Sequence, residues 1–507
     1  MSRIISTALI LLSLVFLVSC AGPADNENES SADISGGGET DAPDSETLPE
    51  TDVLEFFKSA NLGGREIRIH TSTNIVDNGN GMSSSNKYIE GSGRLSGDIV
   101  NDEVYERNIA IGETLGCVMK FTHVNLNYNQ VLDSISVPVR AGEDFCDLII
   151  NDQYALVRAA FNGYLFNLLD DRAYVSHFDF EAGGWYYDYM KELTVSDSRL
   201  YIMAGDFFID VLRNAHALYF NTNMYTDLYG SPDELYALVE DGGWTYSRLL
   251  ELVEGAYADK NGDGLTDLTD NFGIIMPGAE GSLYPFIFSS NVRSVTFNYE
   301  NQPSMITDTD RASSLCDTIM SIYRSRGANY QFKTDTIMSK FTSGESLFLN
   351  YFRIGDLEES ALRGMKGVGL LPYPKLTAGQ EQYYTTVHDT AEMGAIPSTC
   401  RIPGEVSLLV QAMMRYTNVH VLPKYYETAL KLKYAQDEPS SRMIDVIRNG
   451  ITSPFELAYG YQFERPLYIS IRDSINSGSN ILASRFKALQ QPAVSKLRDF
   501  VEAFNRN

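Results

Sequence analysis

The chain has 507 residues, 44% of them hydrophobic, and a formal net charge of −27. That length and apolar content support two or three packed domains. The acidity argues against nucleic acid or anionic lipid as a partner.

At the N-terminus, Arg3 supplies the charge of a short n-region, and residues 4–18 form a mostly apolar run of 15, too short for a membrane span. The run ends in Leu17-Val18-Ser19-Cys20, which resembles a bacterial lipobox. The resemblance implies that residues 1–19 are a lipoprotein signal peptide, cleaved before Cys20, whose sulfur takes a diacylglycerol. The other reading is an ordinary secretory signal with an unmodified cysteine. Residues 21–52 hold ten Asp or Glu and no Lys or Arg, among Gly, Ser, Asn and Pro. Such a segment cannot bury enough apolar surface to offset its chain entropy, so 20–52 reads as a disordered acidic tether, extended by its own repulsion.

Beyond it, a strand over 66–70, a helix over 99–116, a strand over 117–123, a helix over 128–140 and a strand over 146–150 alternate. This βαβαβ run predicts an α/β fold with a mostly parallel sheet between helices. Ligands of such sheets collect at the carboxyl ends of strands, here Thr71, Ser72 and Thr73 after the first and Asn151, Asp152 and Gln153 after the third. Cys117 and Cys146 each open a strand, so they either pair or stay as separate buried thiols; with Cys316 and Cys400, three complete pairings exist. Residues 183–207 follow, with the aromatic cluster Trp185, Tyr186, Tyr187 and Tyr189 and a strand over 200–203 that stops at Gly205-Asp206. A strand over 217–221 and a short helix over 224–230 come next.

Residues 244–274, WTYSRLLELVEGAYADKNGDGLTDLTDNFGI, carry the densest local signal. Thr245 reads as an N-cap, Trp244 as the outer half of a hydrophobic staple on Leu249, and Leu249, Leu252, Val253 and Ala256 as one buried face. The loop after that helix places Asp259, Asn261, Asp263, the Leu265 carbonyl, Asp267 and Asp270 at positions one, three, five, seven, nine and twelve of an EF-hand-like loop, with Gly264 at the sharp turn. An all-oxygen set this dense suits Ca²⁺. Asp270 stands where an EF-hand has a longer bidentate Glu, so weak binding is expected, roughly 0.1–1 mM. A polar turn with no metal is the alternative. Further on, strands are expected over 346–350 and 367–371, and helices over 404–416, 423–436, 440–449 and 481–505, the last broken near Pro492.

Several of these segments together resemble the family 1 extracellular solute-binding proteins of ABC importers. WTYSRLLELVEGAYADKNGDGLTDLTDNFGI is similar to a "WTWDEL" helix leading to "D.NGDG..D.YG", and ALYFNTNMYTDLYG resembles "L.YNK.LF...G". FTSGESLFLN is similar to "F..G.AAM", GVGLLPYPK to "G..P.PK", and MGAIPSTCRIPGEVSLLV to "...IP......EAA...". The resemblance implies a two-lobed periplasmic-binding-protein-like fold of type II. Residues 53–207 and 393–445 would form the N-terminal lobe, and 208–392 and 446–507 the C-terminal lobe. The expected cleft residues are Thr73, Asp152, Gln153, Trp185, Asp206, Tyr284, Tyr351, Phe352 and Arg353. Tyr284 and Phe286 are expected in a loop over the cleft, Trp185 and Tyr351-Phe352 as sugar-stacking rings. The six histidines show no metal-ligand spacing and read as ordinary polar residues.

The implied function is lipid-anchored capture of a sugar or oligosaccharide by a monomer on the outer face of the cytoplasmic membrane, and its delivery to ABC permease subunits. Calcium is the one expected cofactor, in a structural role. The rival readings are a surface glycoside hydrolase with two carboxylates across an aromatic cleft, and a sensor or adhesin built on the same scaffold. No GxSxG, HExxH or P-loop motif is present in the sequence.

Overall fold

The computed structural model describes residues 53–72 and 86–506, apart from 92, 125, 127, 171–176, 197, 306–307, 331–333, 360, 427–437 and 453. The signal peptide, Cys20, the tether, Thr73 and most of the helix expected over 423–436 lie outside the described residues.

Two sheets organise the chain. The first contains β1 (Arg65–Ser72), β2 (Cys117–Val124), β3 (Leu148–Asp152) and the late strand β12 (Glu392–Ala395), in the order β12-β3-β1-β2. β1 runs parallel to both neighbours, and β12 is antiparallel to β3 with Glu392 opposite Asp152. The helix Ile99–Leu115 is set at both ends by its sequence. Asp98 accepts a hydrogen bond from the Asn101 amide, and Gly116 takes the left-handed conformation (φ 61°) that an L side chain resists. Val104, Ile111 and Leu115 are fully buried beneath it, as the periodicity requires.

The second sheet has β4 (Leu218–Asn221), β5 (Phe272–Ile275), β8 (Ala328–Asn329), β9 (Ser346–Leu349) and β10 (Val368–Leu371), in the order β10-β4-β9-β5-β8. β5 is parallel to β8 and β9, whereas β4 is antiparallel to β9 and β10. Two short pairs complete the strands: β6 (Thr296–Phe297) with β7 (Pro303–Ser304), and β11 (Thr385–Thr386) with β13 (Ile451–Thr452). The helix Tyr246–Gly255 is capped by Thr245, and Leu249, Leu252, Val253 and Ala256 are buried. Trp244 before it is wholly buried, its indole N–H donating to the Pro372 carbonyl at 3.0 Å.

The structure departs from the sequence reading at residues 200–203 and at Pro492, and it decides the alternative left open for Cys117 and Cys146. Residues 200–203 do not extend into a ladder, because the chain leaves the sheet edge after one bridge, Met203 to Gly394. β1 lies between β2 and β3, so Cys117 and Cys146 sit two strand spacings apart, about 10 Å, beyond the roughly 7 Å reach of a disulfide; all four described cysteines are buried free thiols. Pro492 does not break the last helix, which runs Leu482–Arg506. Pro492 has no N–H for the Ala488 carbonyl, and both residues are exposed, where solvent is at hand for the group the proline cannot serve. The helix Glu438–Asn449, partly assigned to the first lobe by the 393–445 boundary, packs on β10 and the helix Pro232–Glu240 of the second.

The helix Leu482–Arg506 belongs to neither lobe alone. It packs on Thr309–Arg324 beside the second sheet and on Gln153–Phe161 beside the first. On the first-sheet side Phe500 stacks on Phe161 (5.2 Å between centroids) and meets Tyr459 (5.0 Å) and Phe504 (4.9 Å). Phe500→Ala is expected to cost about 3–5 kcal/mol, read as a shift in the midpoint of urea unfolding with an unchanged slope.

Candidate functional site

The strand ends of the two sheets converge. β9 ends at Leu349, and because β4 runs against it (Tyr219 opposite Leu349), the entry to β4 lies beside the exit of β9. Ala217 N donates to Phe352 O (3.1 Å), and His216 bridges to Arg353. Tyr351 takes φ +85°, a strained conformation for a residue with a side chain, and its amide donates to the Tyr373 hydroxyl at 3.0 Å. β5 leads into the helix Ala279–Phe288, which contributes Gly281 and Tyr284. A Cβ on Gly281 would lie 2.9 Å from the Tyr351 ring, so glycine is needed for that ring to sit where it does.

From the first sheet, β3 ends at Asp152, where the helix Gln153–Phe161 begins. The chain between β11 and β12 joins the two sheets. Thr386 O accepts from His216 N (2.9 Å), Asp389 O from Tyr154 N (3.1 Å) and Ala391 O from Gln153 N (2.9 Å). A cavity of about 240 Å³ opens at this junction. Tyr284, Tyr351 and Tyr461 supply its aromatic wall; His216, Thr386, Val387, His388 and Asp389 line the crossing side, with Gly281 and Leu457 between. Hollows of about 520 and 430 Å³ lie elsewhere, around Arg199 and Arg401 and around Asn223 and Asn271. Neither gathers strand ends of both sheets.

Two imidazoles in the wall are neutral. Burial, aided by the Arg353 charge, pushes His216 down to about 3, and burial followed by Arg353 and His216 holds His388 well below the usual histidine range. Burial raises Tyr351 to about 12 and lifts Asp389 above the ordinary aspartate range. Behind the cavity the charges are paired and buried: Arg353 with Asp356 (3.3 Å), and Arg213 with Asp210 (2.8 Å) and Glu358 (3.1 Å).

Of the expected cleft residues, Tyr284 and Tyr351 stand on the cavity, Tyr284 in a helix and not in a loop. Trp185 does not: it is buried among Phe178, Phe180 and Phe207, its N–H bonded to Gln411. Phe352 is fully buried, and so is Phe286, packed on Tyr246 and Tyr373. Arg353 is engaged by Asp356, and Asp206 by Arg448 (2.5 Å) and the Tyr186 hydroxyl (2.8 Å). Gln153 is buried against the Tyr189 hydroxyl. Asp152 caps the helix it precedes, accepting from Ala155 N at 2.6 Å. Thr71 is fully buried, and Asn151 likewise. The sequence reading missed His216, His388, Asp389 and Tyr461. The run Val387-His388-Asp389-Thr390 carries the one available signal, two ionisable residues side by side, and from sequence its histidine reads as an ordinary polar residue.

The acidic loop has the turn its sequence requires. Its neck is closed by the bridge between Ala258 and Asn271, and Gly264 takes φ +77°. Asp259 accepts from Gly262 N (2.7 Å) and Gly264 N (2.8 Å), Asp263 from Leu265 N (2.7 Å) and Asp267 from Thr269 N (2.7 Å). Asn261 Nδ2 donates to Asp263 (3.0 Å). Asp270 is fully buried and accepts from Asp267 N (3.0 Å), Lys260 N (3.3 Å) and the Tyr257 hydroxyl (3.1 Å). The donor set is oxygen throughout and suits a hard cation. Each of these carboxylates already accepts from protein donors, Asp270 while fully buried, and among the described residues no three acidic, His or Cys side chains gather as a metal-holding group.

With fold and cavity in place, the chain is seen to have the two-lobed α/β fold of periplasmic solute-binding proteins. It is similar to the sugar-binding protein MalE of the phytopathogen Xanthomonas citri, at 10% identity and a TM-score of 0.55 over 87% of this chain and 100% of that one. It is also similar to an uncharacterized protein of Listeria monocytogenes EGD-e (11% identity, TM-score 0.56, 85% and 100% covered). A third similar structure is a cyclo/maltodextrin-binding protein complexed with maltotetraose (12%, 0.52, 86% and 97%). No protein-family model matches the chain, and no curated protein does.

Asp152 gives a test of this electrostatic picture. Burial lifts its carboxyl to about 7, and its Oδ2 is buried with no partner among the described residues. The folded state therefore holds the proton more tightly than the unfolded chain. Stability from this group falls as pH rises from the ordinary aspartate range through 7, with a ceiling of about 4 kcal/mol. Asp152→Asn keeps the cap and removes the charge. It is expected to raise the melting midpoint by roughly 2–4 °C near pH 8 and to leave it unchanged near pH 4, by calorimetry across that range.

Proposed function

We propose that this protein is the solute-binding component of an ABC importer. Exported and held to the outer face of the cytoplasmic membrane through lipid on Cys20, it captures a sugar or oligosaccharide between its lobes and passes it unaltered to permease subunits. The observation that carries this reading is the tyrosine-walled cavity at the junction of the two sheets. Tyrosine rings cover the C–H face of a pyranose while their hydroxyls stay wet, and imidazole, hydroxyl and carboxylate groups take its hydroxyls. Ligand that touches both sheets favours the closed arrangement, which is the differential affinity that hinge closure needs.

Binding without chemistry is part of the proposal. Among the described residues lining the cavity, Asp389 is the one carboxylic acid, whereas glycoside hydrolysis calls for two. The supporting likenesses include a protein solved with maltotetraose. Titration calorimetry of the purified protein against maltotetraose and a panel of other glycans checks the reading. Tyr461→Ala is expected to weaken the bound glycan at least about tenfold. Absence of binding across the panel, or release of reducing sugar, would overturn it.

For the acidic loop, the proposal is a weak structural Ca²⁺ held by Asp259, Asn261, Asp263, the Leu265 carbonyl and Asp267, with Asp270 directly or through water. It rests on the order of oxygen donors. Saturating CaCl₂ is expected to raise the melting midpoint through binding to the folded state, with half-effect at roughly 0.1–1 mM. EGTA and Asp259→Ala should each abolish the shift.

A further inference from the structure

Asp389 sets the ligand chemistry of the cavity more narrowly than the tyrosines do; the argument rests on the cleft reading above and refines it. Asp389 Oδ1 lies 3.2 Å from His388 Nδ1. That nitrogen already accepts from the Thr390 amide (3.2 Å), while Nε2 lies 3.0 Å from the Tyr351 hydroxyl. The Thr390 hydroxyl also lies 2.8 Å from Nδ1, so that nitrogen takes its donors from Thr390 and offers none to the Asp389 oxygen facing it. A positive group placed beside Asp389 supplies donors to that oxygen.

The protein's own cations make no direct ion pair with Asp389 among the described residues, although Arg353 and Arg465 both favour its charged form through space. Arg353 is fully buried and paired with Asp356. The Arg465 guanidinium sits 3.9 Å from the centroid of Tyr461 and 4.9 Å from that of Tyr468, and it donates to the Tyr284 hydroxyl. It holds the aromatic wall from behind and is not among the residues lining the cavity. Among the described residues no Lys or Arg lies within ion-pair distance of Asp389, whose side chain remains about 36% exposed. Tyr284, Tyr351 and Tyr461 share the cavity with it, and tyrosine rings attract cations as well as sugar faces. A neutral hydroxyl offers this carboxylate one donor. An ammonium offers three, and a charge.

We infer that the cavity takes an amino sugar, with Asp389 as the partner of its protonated amine and the three tyrosines around it. The test is calorimetry of the purified protein with D-glucosamine and D-galactosamine against D-glucose, D-galactose and N-acetyl-D-glucosamine. At about pH 6.5 an amine sugar is expected to bind at least about tenfold more tightly than its neutral counterpart. In Asp389→Asn that ratio should fall to within about threefold of one, thermal melting being used to confirm that the variant folds. In the unaltered protein the ratio should also collapse at about pH 9, where the sugar's amine is neutral, so the result does not hang on the variant.

Neutral sugars bound as tightly as their amines, or a preference that survives Asp389→Asn or high pH, would overturn the amine inference and leave sugar capture standing. Failure of every sugar, charged and neutral, would remove both.

Discussion

The segment Thr385–Ala391 is the constraint on which the rest of this structure depends. Its carbonyls accept amides from both lobes: His216 on one side, Tyr154 and Gln153 on the other. Buried ions fix its surroundings. Arg213 lies between Asp210 and Glu358, and the amide of Glu392 donates to Asp210 (2.8 Å). Pairs taken this far from water contribute little net stability, but breaking one leaves a bare charge inside the protein. They act here to specify one arrangement of the crossing, and the cavity follows from it.

The cavity wall departs from relaxed backbone geometry in step with that constraint. Tyr351 is held at positive φ by its amide bond to Tyr373 and by the space that Gly281 leaves. Glu464 and Arg465 are also at positive φ, at 75° and 44°, and Arg465 backs Tyr461 and Tyr284. Strain of this kind persists where surrounding contacts over-determine it, as at binding sites.

Most of the scaffold was legible from sequence because its signals are local. Gly116, Thr245 and Gly264 mark a helix stop, a helix start and a loop turn through backbone preferences that act over a few residues, and apolar periodicity placed the buried faces. The site was less legible because it is assembled from distant strand ends. Tyr284 and Tyr351 were found through the family resemblance. Trp185 failed because a tryptophan in an aromatic cluster has the same local pattern whether the cluster is core or wall. His388 and Asp389 were missed because nothing local marks β12 as a strand that runs antiparallel beside β3. That single reversal brings the residues ahead of it to the carboxyl end of the first sheet.

The helix Leu482–Arg506 packs on helices beside both sheets, so the aromatic seam around Phe500 ties the two together along one flank. Under the function proposed above, that seam would be the axis about which the two halves turn.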